Sequence, residues 1–241
     1  MELIVLGSSS SGNSYILKGE RQTLIIECGV PLKDVKKELN FDLSNVVGAL
    51  VSHAHGDHAK YIPQYLDNSI NVYSSEVHHS KATHLNYLYE HNNKFKVGEF
   101  EILPLEVVHD VPCFSFLIKH EECGLVYFVT DTHYIQYKPN GVNHLLLEAN
   151  YSHDIIDSKT VTGALNNIVR QRVLSSHLSL ESALDWYSKI DSSTVQNIIL
   201  THLSDSNSNA KEFKRKFVEA SGKSTYIADK GLRVSLNKTP F

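Results

Sequence analysis

An apolar run, Val46-Val47-Gly48-Ala49-Leu50-Val51, ends almost directly in His53-Ala54-His55-Gly56-Asp57-His58. The run reads as a buried strand, so three imidazoles and a carboxylate arrive together at a strand end, where surface decoration explains them poorly. Imidazole and carboxylate are the donors of zinc, iron and manganese sites, and alternate histidines let one turn serve two neighbouring ions. A site of this kind needs further ligands from elsewhere in the chain, best carried by other rigid strand ends.

Three later residues stand in such positions. His109 follows Leu105-Glu106-Val107-Val108, Asp131 follows the apolar run Val126 to Val129, and His202 follows Ile198-Ile199-Leu200. Taken singly, His109 or His202 also reads as a satisfied core histidine and Asp131 as a turn or capping residue. Two more residues have comparable settings. Glu148 ends the run Leu145-Leu146-Leu147, and His177 lies in Ser175-Ser176-His177-Leu178-Ser179, just ahead of a helix. Alone, Glu148 also reads as a surface charge and His177 as a neighbour of a helix cap.

The rest of the pattern alternates strands with helices. Leu3 to Leu6, Tyr15 to Leu17 and Thr23 to Ile26 read as strands, and Leu32, Val35 and Leu39 give helical spacing over 31–39 after Pro31. Gly7 to Asn13 has the look of a phosphate loop but leads into a strand, so it reads as a turn along the rim of a site. Residues 76–90 carry a mixed helical pattern. Lys94 to Val108 reads as a hairpin about Gly98, and the strands Phe114 to Ile118 and Leu125 to Val129 flank a turn at Gly124. Ser179 caps a helix bearing Leu180, Ala183, Leu184 and Tyr187. A second helix with Phe213, Phe217 and Ala220 ends near Gly222. Strand Val195 to Leu200 sits between them, and Tyr226 to Leu236 is expected to close as a hairpin at Asp229-Lys230-Gly231. Two such halves predict an α/β protein built as an αββα sandwich, two mixed sheets packed face to face with helices outside, in a single domain over residues 1–241.

Charge and cysteine content narrow the partners. The formal net charge is −4, which lacks the basic excess of proteins that hold long nucleic acids and fits a small anionic ligand better. The one basic cluster, Lys211 to Lys216, reads as the solvated face of a helix. Cys28, Cys113 and Cys123 are odd in number and widely spaced, which argues against a disulfide framework and for the cytoplasm. No apolar stretch is long enough to span a bilayer, and Met1 to Leu6 is too short for a signal peptide.

The ordered set His-x-His-x-Asp-His, His, Asp, His resembles that of the metallo-β-lactamase superfamily, whose fold is the αββα sandwich. The resemblance assigns His53, His55 and His109 to one metal ion and Asp57, His58 and His202 to a second, with Asp131 bridging both. Two Zn2+ are the default, with Mn2+ or Fe2+ accepted by the same donors. Asp57 also acts in catalysis, steadying or deprotonating the attacking water. Glu148 and His177 match residues of the ribonuclease Z branch, where the His protonates the leaving oxygen and the Glu orients it. The segments Arg170 to Ser179, His202-Leu203-Ser204 and Leu6 to Asn13 resemble the YycJ/WalJ-like group. That group holds proposed exonucleases and also anti-Pycsar phosphodiesterases, which open cyclic mononucleotides such as cyclic CMP and cyclic UMP. The Asn13 loop and Glu27 lean toward the second subgroup, which implies a cyclic nucleotide substrate, a homodimer and a role against an antiphage defence. A YycJ/WalJ-like DNA or RNA nuclease is the alternative, and a thioester hydrolase of the glyoxalase II kind is a second. β-Lactam hydrolysis fits less well, since lactamases more often carry Cys where Asp131 stands.

Overall fold

Alternation within each strand decides the layers. In β1 (Glu2–Gly7) Leu3 and Val5 point one way and Ile4 and Leu6 the other, and all four are buried. A strand buried on both faces must lie between two apolar layers. The computed structural model describes residues 1–76 and 83–239. Here β1 joins β2 (Ser14–Lys18), β3 (Thr23–Ile26), β4 (Val46–Leu50), β5 (Val72–Ser74) and β6 (Asn86–Leu88). With β14 (Arg233–Ser235) they form a seven-stranded sheet in the order β14-β1-β2-β3-β4-β5-β6.

The second seven-stranded sheet runs β13-β12-β11-β10-β9-β8-β7. Its members are β7 (Phe95–Val97), β8 (Phe100–Val107), β9 (Cys113–His120), β10 (Gly124–Val129), β11 (His144–Glu148), β12 (Asn197–Thr201) and β13 (Ser224–Ile227). Between the sheets, Leu3, Val5, Tyr15 and Leu50 pack with Phe100, Phe116, Phe128 and Ile199 in one buried cluster. Phe116 and Phe128 are fully buried, so truncating either to Ala costs about 3–5 kcal/mol.

Helices cover the outer faces. Ile4, Ile16, Ile25 and Ala49 pack against Leu32 and Val35 of α1 (Leu32–Glu38) and Ile62, Tyr65 and Leu66 of α3 (Ile62–Asp67). The four-residue α2 (Gly56–Ala59) precedes α3. On the other side Tyr127, Leu145, Leu147 and Ile198 meet Leu180, Ala183 and Trp186 of α6 (Leu180–Ser188) and Phe213 and Phe217 of α7 (Ala210–Ser221). Gly222 ends α7 with φ 63°, the left-handed cap that glycine adopts without a side-chain clash. The fold is thus the expected αββα sandwich.

One local expectation is corrected. Tyr226 to Leu236 is no hairpin: β13 pairs in parallel with β12 in the second sheet, while β14 pairs antiparallel with β1 in the first. The Asp229-Lys230-Gly231 turn is real, but it carries the chain between sheets because each sheet offers an open edge there. Between β11 and α6 lie two helices without a sequence forecast, α4 (His153–Val161) and α5 (Asn167–Ser176), capped by Ser152 and Asn166. Of the mixed helical pattern over 76–90, residues 77–82 fall outside the described residues, Thr83–Leu85 forms one 3₁₀ turn and β6 follows. Among the described residues no helix is long and apolar enough to cross a membrane.

Strand direction places the site. β3 to β6 are mutually parallel, as are β10 to β13, and β8 and β10 both run antiparallel to β9. The carboxyl ends of β3, β4, β8, β10, β11 and β12 therefore open on the edges that carry the candidate residues.

Candidate metal centre

Two residues beyond Val51, His53 is already buried, and α2 then turns the chain sharply, its Ala59 N–H bonding His55 O at 2.9 Å. The turn separates the run into two pairs: His53 and His55 before it, Asp57 and His58 within it. The α2 backbone is held from below by Asn13 N–H to Asp57 O and Cys28 N–H to His58 O, each 2.7 Å. Gly29 lies so close that a Cβ there would stand 1.7 Å from Asp57 O, so only glycine fits.

The nine residues gather in three overlapping groups that share Asp131, the third being Asp131, Glu148, His177 and His202, and the seven candidate ligands make up the first two. Donor atoms of His53, His55, His109 and Asp131 lie within 4.8 Å of one another, and so do those of Asp57, His58, Asp131 and His202. In the first group His53 Nε2 is 3.5 Å from Asp131 Oδ2 and His109 Nε2 is 3.2 Å from His55 Nδ1. In the second, His58 Nε2 stands 3.4 Å from both Asp57 Oδ2 and Asp131 Oδ2, and His202 Nε2 stands 3.2 Å from Asp57 Oδ2.

Backbone strain aims several of these side chains. Asp131 and His202, just past β10 and β12, have φ of 46° and 54°, and Glu27, just past β3, has 69°. Left-handed backbone at residues other than glycine costs about 1–3 kcal/mol and concentrates at functional sites. Asn150 holds the His202 turn by donating to its carbonyl at 2.8 Å, and the His202 N–H bonds Ser8 Oγ at 2.8 Å. The Gly7 to Asn13 loop thus lines the site, with a cavity of about 580 Å³ between it, Tyr61 and Asp205.

Glu148 and His177 meet beside the second group. His177 Nδ1 is 2.7 Å from Glu148 Oε1, and the His177 ring stacks on His202 with centroids 5.2 Å apart. Glu148 is fully buried, accepts from Thr132 N–H at 3.1 Å and lies 3.4 Å from His202 Nδ1.

The charge balance is that of a cation site. Buried Glu27, Asp131 and Glu148 and the partly exposed Asp57 bring four carboxylates among the histidines. Burial resists charge on His202, yet Asp131 and the hydrogen bonds to Asp57 and Glu148 carry its pKa up to about 10. His58, also opposed by burial, is raised by Asp131 and Glu27. Burial and the neighbouring His53 push His109 down to about 4, leaving it a neutral donor. His53 Nε2 is buried without a hydrogen bond. Divalent ions would satisfy that nitrogen and neutralise the carboxylates, so the residues fit two metal ions. Nitrogen and carboxylate oxygen donors suit zinc, with manganese or iron also accommodated.

The sandwich is the metallo-β-lactamase fold, and with this buried His/Asp cluster it defines a metal-dependent hydrolase. Residues 9–122 match the Metallo-beta-lactamase superfamily. The chain is 25% identical over 248 residues to Exodeoxyribonuclease YycJ of Bacillus anthracis, covering 95% of this chain and 90% of that protein. It is 26% identical over 230 residues to Exodeoxyribonuclease WalJ of Streptococcus pneumoniae serotype 2 (strain D39), covering 86% and 83%. Among solved structures, the metallo-beta-lactamase fold protein YhfI of Bacillus subtilis is similar with a TM-score of 0.76 at 16% identity, covering 97% of this chain and 98% of that one. Human tRNase Z, short form, gives 0.65 at 13%, covering 98% and 99%.

All nine residues singled out in the sequence, His53, His55, Asp57, His58, His109, Asp131, Glu148, His177 and His202, come together at this edge. Of the groups that hold them, Asn13 and Glu27 enter the sequence reading only as marks of a subgroup, without a role at the site, and Asp110 does not enter it. Glu27 Oε1 faces His58 Nδ1 at 3.2 Å, Asn13 Nδ2 lies 3.4 Å from Asp57 Oδ2, and Asp110 stands beside His55 and His109. Glu27 carries the same signal as Glu148, an acid at the end of an apolar run.

Proposed function

We propose that the protein is a metal-dependent phosphodiesterase acting on nucleotide phosphodiesters. The observation that carries this reading is the His177–Glu148 pair. An alkoxide leaving a phosphodiester needs a proton, and a histidine anchored through one nitrogen on a buried carboxylate delivers it from the other. A thioester's leaving group departs without such help. When bound, two divalent ions supply Lewis acidity at phosphorus and lower the pKa of water.

The chain's own residues do the rest. Asp57, whose Oδ2 lies 3.2 Å from His202 Nε2, takes up the proton of the attacking water. Glu148, fixed by the Thr132 N–H, accepts from His177 Nδ1 and leaves Nε2–H free to meet the departing oxygen. Burial opposes charge on His177, but Glu148 raises its pKa above the ordinary imidazole value, so the proton is held until it is needed.

Among phosphodiesters, DNA ends are the better supported substrate, because both curated relatives carry the name exodeoxyribonuclease over most of this chain's length. Cyclic mononucleotides are a second reading, supported by the net charge of −4, which offers no basic excess to hold a long nucleic acid chain. The test is incubation of metal-loaded protein with single-stranded DNA, cyclic CMP, cyclic UMP, cyclic AMP and a thioester, with a His53 variant as control. Mononucleotide release from DNA supports the first reading, and ring opening without chain degradation supports the second. Thioester cleavage with both phosphodiesters intact overturns the proposal.

A further inference from the structure

A histidine donates one ring nitrogen to a metal ion well only when its other nitrogen is tied to a partner that fixes ring and tautomer. Three of the histidines have buried partners of this kind. His58 Nδ1 meets Glu27 at 3.2 Å, His53 Nδ1 meets the Ser52 hydroxyl at 2.9 Å, and His202 Nδ1 lies 3.4 Å from Glu148. His55 is arranged the other way round. Its Nδ1 faces the first ligand group, 3.2 Å from His109 Nε2, so the nitrogen left to be tied is Nε2. Asp110 Oδ1 stands 3.4 Å from it.

Asp110 follows His109 directly, on the bend after β8, and its side chain is 57% exposed. It also lies 3.0 Å from His109 Nε2. Once that nitrogen is committed to an ion it has no proton to give, and His55 Nε2–H remains as the carboxylate's donor. We propose that Asp110 is a positioning residue for the first metal ion, accepting from His55 Nε2–H and holding the Nδ1 lone pair toward the ion. The proposal rests on the two-metal reading of the site and not on which phosphodiester is cut. Its consequence is an asymmetry: the second ion's ligands are braced by buried Glu27 and Glu148, whereas the first ion depends on a carboxylate open to solvent.

The test uses metal-free protein titrated with Zn2+ and with Co2+ by calorimetry against a competing chelator, for wild type, Asp110→Ala, Asp110→Asn and Asp110→Glu. Circular dichroism of the metal-free forms checks that each is folded, which an exposed position favours. Asp110→Ala is expected to weaken one of the two sites about 10–100-fold and leave the other within about twofold. Asn, which keeps an oxygen acceptor without the charge, falls between, and Glu recovers most of the loss. The cobalt absorption of the weakened site is lost first on chelation. Unchanged affinities in Asp110→Ala overturn the proposal, as does equal weakening of both sites. Complete loss of one ion in Asn and Ala alike also overturns it, because Asp110 would then be a ligand itself. No substrate enters the measurement, so failure of the phosphodiesterase reading is seen separately.

Discussion

Replacing His177 by Asn separates proton delivery from metal binding. His177 also falls in a group with Asp131, Glu148 and His202, but its Nδ1 is committed to Glu148 at 2.7 Å, so metal content should stay at the wild-type level. Asn keeps an N–H that can reach toward Glu148 but has no group able to donate a proton as an acid. General acid catalysis contributes about 10²–10⁴ in rate, which is about 3–5 kcal/mol of barrier, and kcat on a nucleotide phosphodiester should fall by that factor. The stability cost is small by comparison. Glu148 keeps Thr132 N–H at 3.1 Å and His202 Nδ1 at 3.4 Å, so one of three contacts is weakened, for about 1–2 kcal/mol. The deciding assay compares the natural phosphodiester with an aryl phosphodiester whose phenolate departs unprotonated. For the aryl substrate the loss should shrink to less than about tenfold, since no acid is required. Equal losses on both substrates, or parallel loss of metal, would refute the reasoning.

Three further outcomes follow from other parts of the structure. Glu27→Ala should weaken metal binding at the second site about 10–100-fold, read by calorimetry, because His58 Nδ1 loses its buried partner, while Glu27→Gln should lose less. His144 lies at the opposite end of β11, where burial pushes its pKa down to about 4 despite the Asn237 carbonyl. The unfolded chain takes up this proton near pH 6.5 and the folded chain only near 4, so stability is full above 6.5 and falls as pH drops through that window. About 2 kcal/mol should be gone at pH 5, and urea unfolding of His144→Gln against wild type at pH 7 and 5 should show a flatter dependence. The homodimer implied by the sequence resemblance has a candidate face in α4 and α5, where Val161 and Ile168 are 88% and 80% exposed. Sedimentation should give a dimer for the wild type and a monomer for Ile168→Asp; a monomeric wild type would remove the idea.

The sequence made the layers legible because the strands are apolar on both faces. Runs such as Leu145-Leu146-Leu147 have no amphipathic period to misread, and an acid or histidine at such a run's end stands out. The same logic found Glu148 and would have found Glu27. The contacts of Asn13 with Asp57 and of Asp110 with His55 were not legible for another reason: those partners are remote in the chain, and neither residue carries a spacing signal of its own. α4 and α5 were missed because they scarcely contribute to the core; of α5 only Ser176 is buried, so no apolar stripe marks it. The error at Tyr226 to Leu236 came from reading a local turn as proof of local pairing. Turn chemistry sets where the chain reverses, and the open edges of two sheets decided where each arm went.

That last crossing bears on how the protein is made. Ile4, near the start of the chain, is paired with Arg233. During synthesis the edge of β1 waits until Arg233 has emerged before its partner is in place, and an unpaired strand edge is a template for other chains. Pairing over so long a separation is also slow, since the loop must close before any contact rewards it. Nascent chains, and fragments cut before Arg233, are therefore the forms most exposed to aggregation, and β14 acts as the latch that ends this vulnerable period.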